Sequence, residues 1–163
     1  MSERAERGFD EAVSRLREWI ETGDYLPPTA VPDALEDLYR MEEAEKKRLG
    51  EAVYFAQRDK DPLGRVVGGL VYARGLDTHS GALADRIEGS RPFRARQSTV
   101  RGGDTVRGPG VRVVWRSFSE LPPPGRPEAH GRDVMYDQSV QGRDVLETFA
   151  EGTSFFAKIR GTP

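Results

Sequence analysis

Apolar side chains recur at helical spacing through the first 88 residues, and this periodicity directs the chain to a mainly helical fold. Phe9, Val13, Leu16 and Ile20 mark one face of an amphipathic helix, with charged residues between them and Gly23 placed to end it. Pro27 and Pro28 break the chain, after which Pro32, Asp33, Glu36 and Asp37 suit a helix start. A stripe of Leu38, Met41, Leu49, Val53 and Ala56 predicts that this second helix runs to about residue 59. Glu45 falls in or beside its buried seam, while Lys46, Lys47 and Arg48 read as its solvated face. After Asp61 and Pro62 a third helix is predicted over 62–88, carrying Val66, Val67, Leu70, Val71, Leu76, Leu83 and Ile87. Gly68 and Gly69 lie inside it, each costing up to about 1 kcal/mol relative to Ala, so close contact with another helix is expected there.

From Ser90 the pattern changes. FRARQSTV alternates, RGGDTVRGPG has the composition of a turn, and VRVVWRSF has the β-branched and aromatic content of a strand, which predicts a small β element between residues 92 and 118. The proline-rich run from Leu121 to Pro127 reads as a rigid connector. Val145, Leu146, Phe149, Phe156 and Ile159 predict a last helix within 139–160. The expected fold is therefore α+β but mainly α, a single domain over 1–163. Its parts are a helical portion (1–88), an arginine-rich β ribbon (91–118) and a C-terminal helix. A homodimer through the third helix is also expected.

With 163 residues, 36% hydrophobic and 32% charged, the chain can bury a substantial core. It has no cysteine, which excludes disulfides, Cys-ligated zinc, iron–sulfur clusters and thiol catalysis, and two histidines make a histidine-rich metal site a poor expectation. No metal and no cofactor are expected. The opening residues lack the basic-then-apolar order of a signal peptide and no apolar run is long enough to span a bilayer, so the chain reads as cytoplasmic, with no membrane partner.

Net charge is only -2, but it is unevenly placed: residues 1–62 hold 16 acidic and 10 basic side chains, whereas 91–116 hold seven arginines and one acid, Asp104. Arg94, Arg96, Arg101 and Arg112 are candidates for contacts to a phosphate backbone, with Trp115 available to stack on a base. The glycines of RGGDTVRGPG match neither a P-loop nor a dinucleotide fingerprint.

One constellation offers catalytic chemistry. Arg74 and His79 stand five residues apart on the third predicted helix, and together a guanidinium and an imidazole can clamp a phosphate and shuttle a proton. Such a pair suits RNA cleavage without metal, in which the ribose 2′-hydroxyl attacks its own 3′-phosphate and DNA is spared. Five residues turn an ideal helix by roughly 140°, so the two side chains need a cleft that wraps the helix, which a two-fold dimer would supply. A structural reading stands beside this one: Arg74 pairs with Asp77 at i,i+3, and His79 packs among Tyr72, Leu76 and Leu83. Glu45 is the acidic residue that best suits Arg74 as a partner from the second helix.

The Arg-x4-His spacing of Arg74 to His79, within GLVYARGLDTHSGALAD, resembles the HEPN superfamily of small helical proteins. Trp115, Leu121-Pro122 and Gly142-Arg143-Asp144-Val145 extend the likeness to an uncharacterised group of helical proteins. The resemblance implies a metal-independent endoribonuclease in a toxin or defence setting, with Arg74 as phosphate clamp, His79 as acid/base and RNA as substrate. Other HEPN members are binding modules without activity. The alternative expectation is thus a non-catalytic interaction module that holds a protein or nucleic acid through the arginine-rich segment, and a third is a structural accessory with no readable chemistry.

The remaining polar residues carry less. His130 has no partner at metal-ligand spacing, Glu42 and Glu43 read as a solvated acidic face, with Glu45 set apart in the apolar stripe, and Trp19 reads as packing or part of a dimer face.

Overall fold

The computed structural model describes residues 2–22, 29–76, 83–92, 109–122 and 130–161. The protein is mainly helical. Helix α1 spans Ser2–Thr22, α2 Ala30–Leu49, α3 Glu51–Lys60, α4 Pro62–Gly75, α5 Arg132–Ser139 and α6 Val145–Arg160; two strands, β1 (Ala84–Pro92) and β2 (Pro109–Trp115), and a 3-10 turn at Phe118–Glu120 lie between α4 and α5.

The stripe of α1 is buried at Ala5, Phe9, Ala12, Leu16 and Trp19, with Val13 and Ile20 partly buried beside it. This face packs chiefly on α2, which contributes Val31, Ala34, Leu35, Leu38 and Met41 to the same core. The predicted second helix is divided at Gly50, whose φ of 85° leaves the helical region and starts α3 in a new direction. Asp61 then both ends α3 and begins α4: its side chain accepts from the backbone N–H of Leu63 at 2.9 Å, and Pro62 takes the first helical position, where its missing N–H costs nothing.

Helix α4 is the centre of the molecule, touched by α2, α3, α5 and α6. Every residue from Val66 to Ala73 is buried. Gly69 is the reason α5 can come so close, since a Cβ there would sit 2.9 Å from the Cα of Tyr136. The contact anticipated from the paired glycines is therefore made within one chain.

The predicted third helix is also too long. It ends at Gly75, Leu76 is extended (φ -74°, ψ 156°), and the chain is in β1 by Ala84. Strand β1 pairs antiparallel with β2, Ala84 opposite Trp115 and Glu88 opposite Val111, with an irregularity before Pro92. On its other edge β2 is stitched to the link between α5 and α6: Trp115 donates to the Arg143 carbonyl at 3.0 Å and Gly142 donates to the Trp115 carbonyl at 2.9 Å. Asp144 begins α6, accepting from the N–H groups of Leu146 and Glu147. Arg143 clamps the same link onto α6 through two bonds to Glu151, at 3.0 and 2.7 Å, which raise the pKa of its guanidinium. Helix α5 has no counterpart in the sequence reading, while the last helix, expected within 139–160, spans Val145–Arg160.

Candidate functional site

Arg74 occupies the last turn of α4 and reaches across to α2. Its Nε and Nη2 each lie 2.9 Å from Oε2 of Glu36, and its guanidinium carbon lies 4.2 Å from the centre of the Tyr39 ring. Glu36 is also 3.3 Å from Nε of Arg40. A guanidinium held this way has two of its donors and one of its faces already engaged inside the protein. Its partner is Glu36 and not Glu45, which is buried and lies against Arg48 and Arg160. His79 and Asp77 fall outside the described residues. Because α4 ends at Gly75, Arg74 and His79 do not share one continuous helix as expected.

The arginine-rich segment is described only at its edges. Arg94, Arg96 and Arg101 lie outside the described residues, and the side chains on β1 are not described. Arg112 points back to α6, its Nε 3.5 Å from Oδ2 of Asp144, the residue that begins that helix. Trp115 corrects the expectation of base stacking. It is 1% exposed, donates from Nε1 to the Thr148 hydroxyl at 2.8 Å and meets Phe149 edge-on at 5.7 Å, so it belongs to the core and presents no free face.

The most concentrated charge inside the protein was not anticipated from sequence. Glu42 and Arg58 are both fully buried, Glu42 Oε1 lying 3.6 Å from Nη1 of Arg58. The other carboxylate oxygen takes Arg132 Nη2 at 3.2 Å and Lys46 Nζ at 3.2 Å, so one acid joins cations from α2, α3 and α5. Arg58 also bonds Asp59, and Lys46 bonds Glu43. The buried Tyr54 hydroxyl stands beside this group; burial first, and then the charge of Glu42, push its pKa up. Glu42 and Lys46, read from the sequence as solvated, are thus interior, while Glu43, Lys47 and Arg48 do face solvent. The one available clue was their spacing, because positions 38, 41, 42, 45 and 46 fall on a single helical face. The network ties three helices together, with Glu42 and Arg58 fully buried at its centre and Lys46 at its edge, in the wall of a surface cleft.

His130, exposed and with a positive φ of 72°, stacks on Phe55 at 4.4 Å, and its carbonyl accepts from Arg58 Nη2 at 3.4 Å. It closes the end of the network through these contacts to Phe55 and Arg58. Among the described residues no group of three or more His, Asp and Glu side chains is placed to hold a metal ion. No helix of the described residues is long and apolar enough to cross a membrane. Compared with models of protein families, with characterised proteins and with solved structures, the chain matches none.

Proposed function

We propose that this protein is a non-catalytic interaction module that engages the phosphate backbone of a nucleic acid through its arginine-rich segment. The observation that carries the reading is the engagement of Arg74 by Glu36 and Tyr39, which gives the one catalytic arginine candidate a structural task. The remaining cationic density is then the run 91–116, seven arginines to one acid, which lies between the end of β1 and the end of β2, the second strand joined to α6 through Trp115 and Asp144. With Trp115 in the core and Arg112 turned to Asp144, the binding contribution falls to Arg94, Arg96 and Arg101 with their neighbours Arg91 and Arg107.

Contacts of this kind read charge and not sequence. Fluorescence anisotropy with single-stranded RNA and DNA of mixed sequence tests the reading: about four phosphate contacts give a slope of log K against log salt near -3. A slope near zero, or no binding at low salt, contradicts it.

A second reading is the HEPN-like one, metal-independent cleavage of RNA by Arg74 and His79 in a toxin or defence setting. It is favoured by the position of Arg74 in the final turn of α4, its side chain 37% exposed. Incubation of RNA in excess chelator tests it, since 2′,3′-cyclic phosphate ends that disappear in His79→Ala would replace the binding-module reading with this one.

A further inference from the structure

A cleft of about 770 Å³ opens where the first turn of α1 meets the junction of α2 and α3. Arg4 and Ala5 line it from α1, Arg40, Lys46 and Lys47 from α2, and Glu51 from α3. We propose that this cleft is a binding site for a small phosphorylated anion, separate from the arginine-rich segment and independent of it.

Charge is the first argument. Four cations line the cleft against two carboxylates, Glu43 and Glu51, although over residues 1–62 acids outnumber bases 16 to 10. Arg40 and Lys46 are matched by Glu36, Asp37, Glu42 and Glu43, so the positive charge offered to a ligand is that of Arg4 and Lys47, at the mouth of a concave part of the surface where field lines are focused. Its volume is within the ordinary range for small-molecule sites.

The second argument is the state of each cation. Arg40 is engaged by Glu36 and Asp37. Lys46 is 8% exposed and fixed in place: its ammonium bonds Glu43 at 2.7 Å, lies 3.2 Å from Glu42, and sits 5.2 Å from the centre of the Phe55 ring. Glu42 divides its single charge among Lys46, Arg58 and Arg132, but Glu43 pairs with Lys46 directly, so this cation is matched and serves to fix the wall. Arg4 and Lys47 are exposed and have no carboxylate partner among the described residues. A rigid cation at the wall with two uncommitted cations at the mouth is a pre-organised arrangement for a group bearing several acceptor oxygens. The small side chains of Ala5 and Ala44 let such a group approach between them. In addition, the first turn of α3 has no side-chain cap, which leaves its backbone N–H groups available.

The probe is inorganic pyrophosphate, titrated into the full chain by calorimetry at low salt and followed by amide NMR. Saturable one-site binding is expected, with Kd on the order of 0.1–1 mM, and with shifts centred on Ala5, Ala44 and Glu51. Arg4→Ala and Lys47→Ala change exposed residues with no carboxylate partner among the described residues, and each should weaken binding about fivefold or more. Glu51→Gln removes a repelling carboxylate and should tighten it about twofold to fivefold. A variant reversing Arg94, Arg96 and Arg101 should bind pyrophosphate as the parent does, so the outcome here is separable from that of the nucleic-acid reading. Absence of saturation up to about 10 mM, or an unchanged Kd in the Arg4→Ala/Lys47→Ala double variant, overturns the proposal.

Discussion

Arg74 donates from Nε to Oε2 of Glu36 at 2.9 Å while its guanidinium lies over the ring of Tyr39. Both contacts join α4 to α2. The two charged side chains are 37% and 39% exposed, so water screens the ion pair and much of the value lies in the stacking. Arg74→Ala is expected to lower stability by about 1 kcal/mol. A cycle with Glu36→Gln, followed by urea unfolding, should give a coupling of about 0.5 kcal/mol. Coupling indistinguishable from zero would show that Glu36 does not hold Arg74 in solution.

Glu42 is shared by three cations in the interior network, Lys46, Arg58 and Arg132. Glu42→Leu leaves Arg58 buried with Asp59 as its remaining acid and takes the shared carboxylate from Lys46 and Arg132, and a loss of about 3 kcal/mol is expected. Adding Arg58→Met to that variant should recover much of the loss, because two apolar side chains then fill the volume of the pair. If the double variant were less stable than Glu42→Leu alone, the network would be contributing more than it costs to bury.

Two glycines on α4 make opposite predictions. A Cβ at Gly69 meets the α5 backbone, whereas one at Gly75 meets nothing within 4 Å. Gly69→Ala should therefore cost about 1–3 kcal/mol, while Gly75→Ala should be neutral or add up to about 1 kcal/mol through reduced freedom of the unfolded chain. Thermal unfolding of the two variants side by side checks the packing of α4 against α5, and equal effects would contradict it.

Asp61 begins α4 and also meets Lys158 from α6. The hydrogen bond from Lys158, helped by that from Leu63, holds its carboxyl below the ordinary carboxylate range. A depressed folded-state pKa means that the stabilisation is complete above the unfolded value of about 3.9 and is lost as pH falls through the lower folded value. Asp61→Asn should therefore flatten the dependence of Tm on pH below about pH 4. Parallel curves for parent and variant would remove Asp61 as a source of acid sensitivity.

Much of the helical half was legible because its signals are local. The stripe through Phe9 and Leu16, the Asp61-Pro62 start and the demand of Gly68 and Gly69 for a close neighbour all appear as expected. What failed was governed by contacts distant in sequence. Gly50 divides one periodic stripe into two helices. Helix α5 is eight residues long, and its buried Met135 and Tyr136 are adjacent, so no repeating stripe betrays it. Trp115 read as available because a strand pattern does not say which face meets α6. Arg74 was recognisable as a residue with a charged task, but Glu36 lies 38 positions away and nothing local connects them.

The most direct test compares nucleic-acid affinity at fixed low salt for the parent, for Arg74→Ala and for a variant with Arg94, Arg96 and Arg101 each changed to Glu. Arg74→Ala is expected to bind within about twofold of the parent, while the triple variant loses about a hundredfold or more. The reverse order, with Arg74→Ala abolishing binding and the triple variant unaffected, would overturn the binding role of the arginine-rich segment and return Arg74 to the site of contact.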